Sequence, residues 1–172
     1  MNPRSSSRRW RLGILILCAA YAQAYATNGS APRDDWPGFR GNAQLTGVAA
    51  TTLPGEPRVV WTFQAQAGIE SQAAIANGKV YVGSLDGTLY CLSLDAGTLK
   101  WKYAAGAPIK SSPTIGEGTI YFGDEEGRFH AVDAGAGTRR WVFQTEAAIV
   151  SSAALSSGKV LFGSNDNPLY AL

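Results

Sequence analysis

The chain has 172 residues, of which 45% are hydrophobic and 16% are charged, and its formal net charge is +2. This composition excludes a disordered tail, a collagen and a polytopic membrane protein. Four of the 15 basic residues, Arg4, Arg8, Arg9 and Arg11, precede the first apolar run, and the remaining chain has 11 basic against 13 acidic residues, a net charge of −2. A nucleic-acid-binding protein needs a basic surface that displaces counterions from phosphates, so the composition predicts no nucleic-acid partner.

Residues 1–26 have the pattern of a secretory signal peptide. The four arginines are followed by an apolar run over residues 12–21, and Ala24-Tyr25-Ala26 offers a cleavage site after Ala26. An apolar run of about 10 residues is too short to cross a bilayer, which takes about 20. We therefore predict cleavage of residues 1–26 and export.

Two special export signals match less well. Ser7-Arg8-Arg9 resembles a twin-arginine signal and Leu15-Ile16-Leu17-Cys18 resembles a lipoprotein signal, but Arg11 and Leu17 depart from those patterns. Ordinary secretion is therefore favoured. We expect the mature protein in the periplasm or outside the cell, and the sequence leaves membrane association open.

Cysteine and histidine are too few to build a covalent or metal framework. Once Cys18 leaves with the signal, Cys91 is alone, so the mature monomer has no disulfide. His130 is the only histidine, which excludes a Cys/His metal cluster.

A repeat of forty residues organises the chain after a lead-in segment at residues 27–57. Residues 58–172 align in three units without a gap. The units share tryptophan, isoleucine, serine and glycine columns, which are Trp61, Trp101 and Trp141; Ile69, Ile109 and Ile149; Ser71, Ser111 and Ser151; Gly78, Gly118 and Gly158; and Gly83, Gly123 and Gly163.

Within each unit the apolar residues have a period of about two and turn residues recur at short intervals, which indicates short antiparallel strands. In the middle unit we predict strands at residues 111–115, 119–124, 128–133 and 138–143, with the first turn at Glu117-Gly118. Four strands in forty residues are typical of a β-propeller blade. The sequence thus predicts an all-β fold, a partial array of about three blades of four antiparallel strands.

The segment from Ala131 to Trp141 resembles the tryptophan-docking signature of pyrroloquinoline-quinone (PQQ)-like repeats, A-x-D-x-x-T-G-K-x-x-W. The preceding copy keeps Gly97 and Trp101 but has Cys91 and Ser93 at the Ala and Asp positions. In the better copy the matching residues are Ala131, Asp133, Gly137 and Trp141.

The lead-in Asp35-Trp36-Pro37-Gly38-Phe39-Arg40-Gly41-Asn42 is similar to the segment before the first blade in exported members of this family. The resemblance covers residues 35–172 and implies a quinoprotein-type or BamB-like propeller. It also implies that Trp61, Trp101 and Trp141 pack between neighbouring blades as structural residues.

The two ends of the repeat array complement each other. Residues 58–63 have the pattern of an outer strand with no blade ahead of it, and the third unit lacks its closing Gly-x-x-x-Trp strand. Closed propellers typically have about 4 to 8 blades. Two explanations stay open: the chain is a piece of a longer reading frame, which is favoured, or it self-associates to close the ring.

The resemblance also implies a test for enzymatic function, because the enzymes of this family hold PQQ and calcium above the propeller axis. They stack the quinone on a disulfide of adjacent cysteines, and this sequence has no adjacent cysteine pair. The candidate calcium ligands lie one group per blade and would ring a face instead of converging on one ion. We interpret these acids as solvated turn residues and expect neither PQQ nor calcium; they are Asp86, Asp124, Glu125, Glu126 and Asp166.

No other residue predicts catalysis. His130 occupies the column of Tyr90 and Tyr170, which indicates a packed ring, and it has no nucleophile in a recognisable context. Cys91 replaces a small residue at a docking position, which favours burial and an inert thiol.

The remaining functional feature is a surface. The loops at residues 64–70, 104–110 and 144–150 share one face with the acidic hairpins, and propellers use such faces to bind peptides or proteins. Non-enzymatic relatives of the BamB type are scaffolds, but fold alone does not decide function. The sequence predicts an exported non-catalytic segment that binds or scaffolds, and the alternative is a fragment of a PQQ-dependent quinoprotein dehydrogenase.

Overall fold

The structure of the chain, a computed structural model, describes residues 35–41, 46–49 and 55–172. The predicted signal peptide at residues 1–26 lies outside these ranges. The described residues form eleven strands, namely β1 (Ala74–Ala76), β2 (Lys79–Gly83), β3 (Thr88–Ser93), β4 (Leu99–Ala104), β5 (Thr114–Gly116), β6 (Thr119–Gly123), β7 (Arg128–Asp133), β8 (Arg139–Gln144), β9 (Ala154–Ser156), β10 (Lys159–Gly163) and β11 (Leu169–Ala171).

The strands form three antiparallel sheets, which we call blades 1, 2 and 3. Their strand orders are β1-β2-β3-β4, β5-β6-β7-β8 and β9-β10-β11. Successive strands along the chain are neighbours in each sheet, as in a meander joined by short turns. This architecture confirms the all-β prediction of repeated antiparallel blades.

The middle blade differs from the predicted strands chiefly at its start. The first strand was predicted from Ser111, but β5 begins at Thr114. The Ser111 hydroxyl donates to the Gly123 carbonyl oxygen at 2.7 Å and accepts from the Gly123 amide at 2.8 Å. The Ser111 side chain thus satisfies the backbone amide and carbonyl groups of Gly123, which would otherwise form hydrogen bonds with the backbone of a neighbouring strand.

The turns between the first two strands of each blade explain the Gly78, Gly118 and Gly158 column. In blade 2, Glu117 and Gly118 have φ values of 49° and 70°. Positive φ at both central residues is the geometry of a two-residue type I′ hairpin, which strongly favours glycine. The turn predicted at Glu117-Gly118 is confirmed.

Each interface between successive blades is built around an isoleucine that packs on a glycine. Ile109 lies on Gly83 of blade 1, and Ile149 lies on Gly123 of blade 2. Both isoleucine side chains are fully buried. A glycine is needed because a Cβ at residue 123 would lie 2.7 Å from the carbonyl oxygen of Ile149.

The lead-in segment runs beside the first strands of blades 1 and 2. Trp36 exchanges two backbone hydrogen bonds with Ile75 in β1, of 2.7 and 2.8 Å. The next carbonyl group, that of Pro37, accepts from the amide of Ile115 in β5 at 2.7 Å. The lead-in therefore links two blades through their first strands, a role that its sequence did not predict.

The predicted outer strand at residues 58–63 is not a strand in this structure. No strand pairs with the segment among the described residues, and the side chains of Val59 and Val60 are 81% and 75% exposed. Strand structure requires a hydrogen-bonded neighbour, and no edge of blades 1 to 3 reaches this segment. Within the described ranges, no helix is long and apolar enough to span a membrane.

Candidate binding face

Three hairpins and three loops meet at one end of the blades, and together they form what we call the hairpin face. The hairpins are residues 84–87, 124–127 and 164–167, and the loops are residues 64–70, 104–110 and 144–150. In blades 1 and 3 an aspartate holds hairpin and loop together. The carboxylate of Asp86 accepts from the Gln66 amide at 3.0 Å, and that of Asp166 accepts from the Glu146 amide at 3.0 Å.

The same two aspartates also bind tyrosines inside their own blades. The Tyr90 hydroxyl donates to Asp86 at 2.8 Å, and the Tyr170 hydroxyl donates to Asp166 at 2.8 Å. Burial alone would raise the pKa of Asp86, but hydrogen bonds from Tyr90 and Thr88 outweigh it, so the pKa of this carboxyl lies below its usual value. These aspartates are ionised structural acceptors that fix the hairpin face.

Asp124 in blade 2 corrects the prediction that all the hairpin acids are solvated. Its side chain is fully buried, and it lies in the column of Ser84, two positions before the column of Asp86. One carboxylate oxygen accepts from Arg128 Nε at 2.7 Å and from His130 Nε2 at 3.0 Å. The other accepts from the backbone amides of Glu126 and Arg128 at 3.0 and 2.9 Å.

The hydrogen-bonded chain continues beyond His130. The Tyr103 hydroxyl, on β4 of blade 1, lies 3.1 Å from His130 Nδ1 on β7 of blade 2, so Tyr103, His130 and Asp124 form a relay across the interface between the two blades. Burial alone would raise the pKa of Asp124, but the hydrogen bonds from His130 and Arg128 outweigh it and the pKa lies below its usual value. Burial raises the pKa of Tyr103. His130 is thus a packed ring, as its column predicted, but with polar partners on both nitrogens.

Tyr103 and Arg128 are residues that the sequence reasoning missed. The second sequence repeat, from Trp101 to Arg140, differs from the other two at four columns. Its residues Tyr103, Asp124, Arg128 and His130 stand where the first repeat has Phe63, Ser84, Thr88 and Tyr90. The sequence could have shown this, because one repeat differs from the other two at all four columns together. Phe63 and Tyr90 make an edge contact with ring centroids 5.0 Å apart, and the relay takes the place of that contact.

The other acids of blade 2 lie at the surface of the face. Glu125 forms an ion pair with Lys110 from the neighbouring loop. Glu126 lies 3.0 Å from Arg128, and its side chain is 66% exposed. Val150 adds an apolar side chain that is 43% exposed.

Among the described residues, the acids of the hairpin face do not form a converging set of calcium ligands. Among the described residues no group of three or more His, Cys, Asp or Glu side chains could hold a metal. Asp86, Asp124 and Asp166 each accept hydrogen bonds within their own blade and do not converge. Cys91 is fully buried, and burial raises its pKa to about 11, so it stays a thiol at neutral pH.

The docking motif lies at the opposite side of the blades from the hairpin face. Trp61 packs on Gly97 and its Nε1 donates to the Leu94 carbonyl oxygen at 2.8 Å. Trp101 in β4 of blade 1 packs on Gly137 of blade 2. Trp141 has no such glycine among the described residues and is 38% exposed.

One further motif residue, Asp133, stabilises the turn that contains Gly137. Asp133 accepts from the amides of Gly135 and Ala136 at 2.9 and 2.8 Å and pairs with Arg140 at 2.8 Å. Hydrogen bonds from Arg140 and these amides lower the pKa of Asp133 to about 2. Ala131 is fully buried.

A cavity of about 470 Å³ lies beside Trp141, between blades 2 and 3. Its apolar lining comes from Tyr121, Leu155, Val160 and Leu172. The corresponding space next to Trp101 is filled by the turn that carries Gly137.

Forty-residue antiparallel blades and tryptophans that dock on the next blade define a β-propeller repeat protein. Residues 47–172 match the family described as outer membrane protein assembly factor BamB. The chain belongs to this family. No curated protein sequence matches the chain.

Solved structures with the same fold include both kinds of relative that the repeat signature implied. A quinohemoprotein alcohol dehydrogenase from Pseudomonas putida has a TM-score of 0.67 at 20% identity, over 77% of this chain and 23% of its own. BamB from Moraxella catarrhalis has a TM-score of 0.59 at 22% identity, over 66% of this chain and 36% of its own. A quinohemoprotein alcohol dehydrogenase from Comamonas testosteroni has a TM-score of 0.66 at 18% identity, over 89% of this chain and 27% of its own. The chain thus spans between 23% and 36% of the length of these proteins, and the likeness establishes the β-propeller fold.

Proposed function

We propose that this protein is an exported, non-catalytic β-propeller segment that binds a protein or peptide and serves as a scaffold. The observation that carries the proposal is the hairpin face, in which loop amides donate hydrogen bonds to Asp86 and Asp166 and so fix loops to hairpins before any partner binds. A preformed face loses little conformational freedom on binding. The family description and the signal pattern at residues 1–26 support export and a role in protein contacts.

The chemistry of the face favours a partner that is basic and apolar. Lys110 and Glu125 neutralise each other, and Arg128 is engaged by Asp124. Glu126 pairs with Arg128 at 3.0 Å, but its side chain is 66% exposed and can be reached by a partner. Val150 offers an exposed apolar side chain. Charge complementarity then favours a peptide with Lys or Arg next to an apolar residue.

A peptide display selection tests the proposed binding. Peptides selected on the purified chain should be rich in Lys or Arg with apolar residues, and their affinity should fall at least tenfold for the double variant Glu126→Lys, Val150→Arg. Glu117→Lys is the matched control, because Glu117 is an exposed acid in the turn at the opposite end of β6. Selected peptides that bind the double variant as well as the wild type would contradict the proposal.

The dehydrogenase alternative has its own test. The purified chain, supplied with PQQ and calcium, is assayed for oxidation of alcohols and sugars with an artificial electron acceptor. We expect no turnover, because the aspartates that could serve as ligands are engaged within separate blades. Measurable PQQ-dependent turnover would contradict a non-catalytic function.

A further inference from the structure

The three hairpins of the hairpin face have an acid in one shared sequence column, and these column acids are Asp86, Glu126 and Asp166. In blade 1 the carboxylate of Asp86 accepts from the Tyr90 hydroxyl and from the Gln66 amide. Asp166 has the same two kinds of partner in blade 3. Both carboxylates are therefore used to fix a loop and a tyrosine ring to a hairpin.

Glu126 in blade 2 differs from the other two column acids. Its side chain is 66% exposed, and in the part of the chain that the structure describes its carboxylate has one partner, Arg128, at 3.0 Å. The loop amide in the column of Gln66 belongs to Gly106, and it donates to the carbonyl oxygen of Gly87 at 3.3 Å. Glu126 therefore does not have the structural role of Asp86 and Asp166.

Asp124 has that structural role in blade 2. Its buried carboxylate accepts from His130, which stands in the column of Tyr90. It also accepts from the backbone amides of Glu126 and Arg128 within the hairpin. The same carboxylate accepts from Arg128 Nε at 2.7 Å, so the charge of Arg128 is shared between Asp124 and Glu126.

Tyr103 fixes the ring of His130 from the neighbouring blade. The pKa of Asp124 lies below its usual value, so its carboxylate can only accept, and His130 Nε2 carries a proton. In the neutral ring Nδ1 is then the acceptor, and the Tyr103 hydroxyl donates to it at 3.1 Å. A residue on β4 of blade 1 thus holds the ring in one tautomer.

We propose that Asp124, His130 and Tyr103 are positioning residues for Glu126, which is the anchor for a Lys or Arg side chain of the partner. The relay fixes the hairpin through a buried carboxylate. The exposed carboxylate of Glu126 is then left to form a charge-assisted hydrogen bond with the partner. Blade 2 therefore determines the specificity of the hairpin face, and this role rests on the proposed binding of a basic peptide there.

Replacing the relay by the residues of the first repeat separates binding from stability. This exchange variant carries Tyr103→Phe, Asp124→Ser, Glu126→Asp, Arg128→Thr and His130→Tyr. We expect it to be nearly as stable as the wild type, because the new tyrosine hydroxyl can bind the carboxylate at residue 126 as Tyr90 binds Asp86. That carboxylate is then engaged, so peptides selected on the wild type should bind about tenfold more weakly or worse, the loss expected for one hydrogen bond to a charged group.

Glu126→Asp alone is the matched control, because it keeps a carboxylate at residue 126 and leaves the relay intact. It should bind the selected peptides nearly as well as the wild type. An exchange variant that binds them as tightly as Glu126→Asp overturns the proposal.

His130 provides a second measurement, because it is the only histidine of the chain. Nitrogen NMR of the neutral ring should show the proton on Nε2. Tyr103→Phe should shift the Nδ1 resonance, speed hydrogen exchange at the Glu126 amide and weaken peptide binding. Tyr81→Phe is the matched control, since the Tyr81 hydroxyl donates to the Ala134 carbonyl oxygen at 3.1 Å in the same blade interface, and it should change none of the three. Unchanged exchange at the Glu126 amide in Tyr103→Phe overturns the positioning role.

The binding results distinguish this role from the proposed function. Selected peptides that bind Glu126→Gln as tightly as the wild type contradict both. Peptides that lose affinity for Glu126→Gln but bind the exchange variant and Tyr103→Phe like the wild type overturn the positioning role alone.

Discussion

Gly123 offers a direct test of how the blades pack. The change is Gly123→Ala, and the matched control is Gly163→Ala at the same position of the next blade. Neither glycine has a φ in the left-handed region, so alanine suits the backbone at both positions. The two variants therefore differ in what the added methyl group meets.

The expected magnitude follows from those contacts. At residue 123 the new Cβ would lie 2.7 Å from the carbonyl oxygen of Ile149 and closer still to atoms of its side chain, so backbone would have to move. Overpacking of this kind costs about 1–3 kcal/mol. At residue 163 the nearest atom is 3.8 Å away, and the lower entropy of the unfolded chain stabilises the alanine variant by about 0.4–1 kcal/mol.

Urea unfolding followed by tryptophan fluorescence measures the difference. We expect Gly123→Ala to lower the free energy of unfolding by about 1–3 kcal/mol and Gly163→Ala to leave it unchanged or slightly raised. Equal stability of the two variants would refute the isoleucine-on-glycine account of the interface.

Three further predictions concern the docking motif and the buried relay. In thermal melts, Trp101→Ala should destabilise the chain by about 3–5 kcal/mol. Trp36→Ala and Trp141→Ala should reduce the stability by less. A larger loss of stability for Trp36→Ala than for Trp101→Ala would contradict the assignment of blades. Asp124→Ser should cost about 1–3 kcal/mol, because His130 and Arg128 lose their buried acceptor while Arg128 keeps its ion pair with Glu126. Exchanging all the residues of the set for those of the first repeat should restore most of the stability, and purely additive losses in urea titrations would contradict the relay. The set is Tyr103→Phe, Asp124→Ser, Glu126→Asp, Arg128→Thr and His130→Tyr. The pKa of Asp124 is lowered on folding, so the contribution of its carboxylate to stability is present above the unfolded pKa of about 3.9 and is lost as the pH falls through the folded pKa. The urea midpoint of the wild type should therefore fall more steeply with decreasing pH below about pH 4 than the midpoint of Asp124→Asn. Parallel pH profiles of the two proteins would contradict this.

The sequence alone was enough to determine the repeating architecture. The forty-residue period, the strands β6, β7 and β8 and the turn at Glu117-Gly118 all follow from local patterns. Alternating apolar residues and glycines at positive φ act within one hairpin, so a short stretch of sequence contains all the information that they need. The face shared by loops and hairpins was predictable for the same reason.

The tertiary structure decided which of these residues are buried and which lack a partner. Asp124 looked like any hairpin acid, but its charge is buried because Arg128 and His130 fold back onto it and Tyr103 closes the relay from β4. Residues 58–63 have a strand's sequence, but no strand pairs with them in the part of the chain that the structure describes. Burial and strand pairing depend on neighbours in space, and Tyr103 reaches the relay from a different blade. The apolar and turn patterns of one hairpin therefore do not specify which side chains are buried.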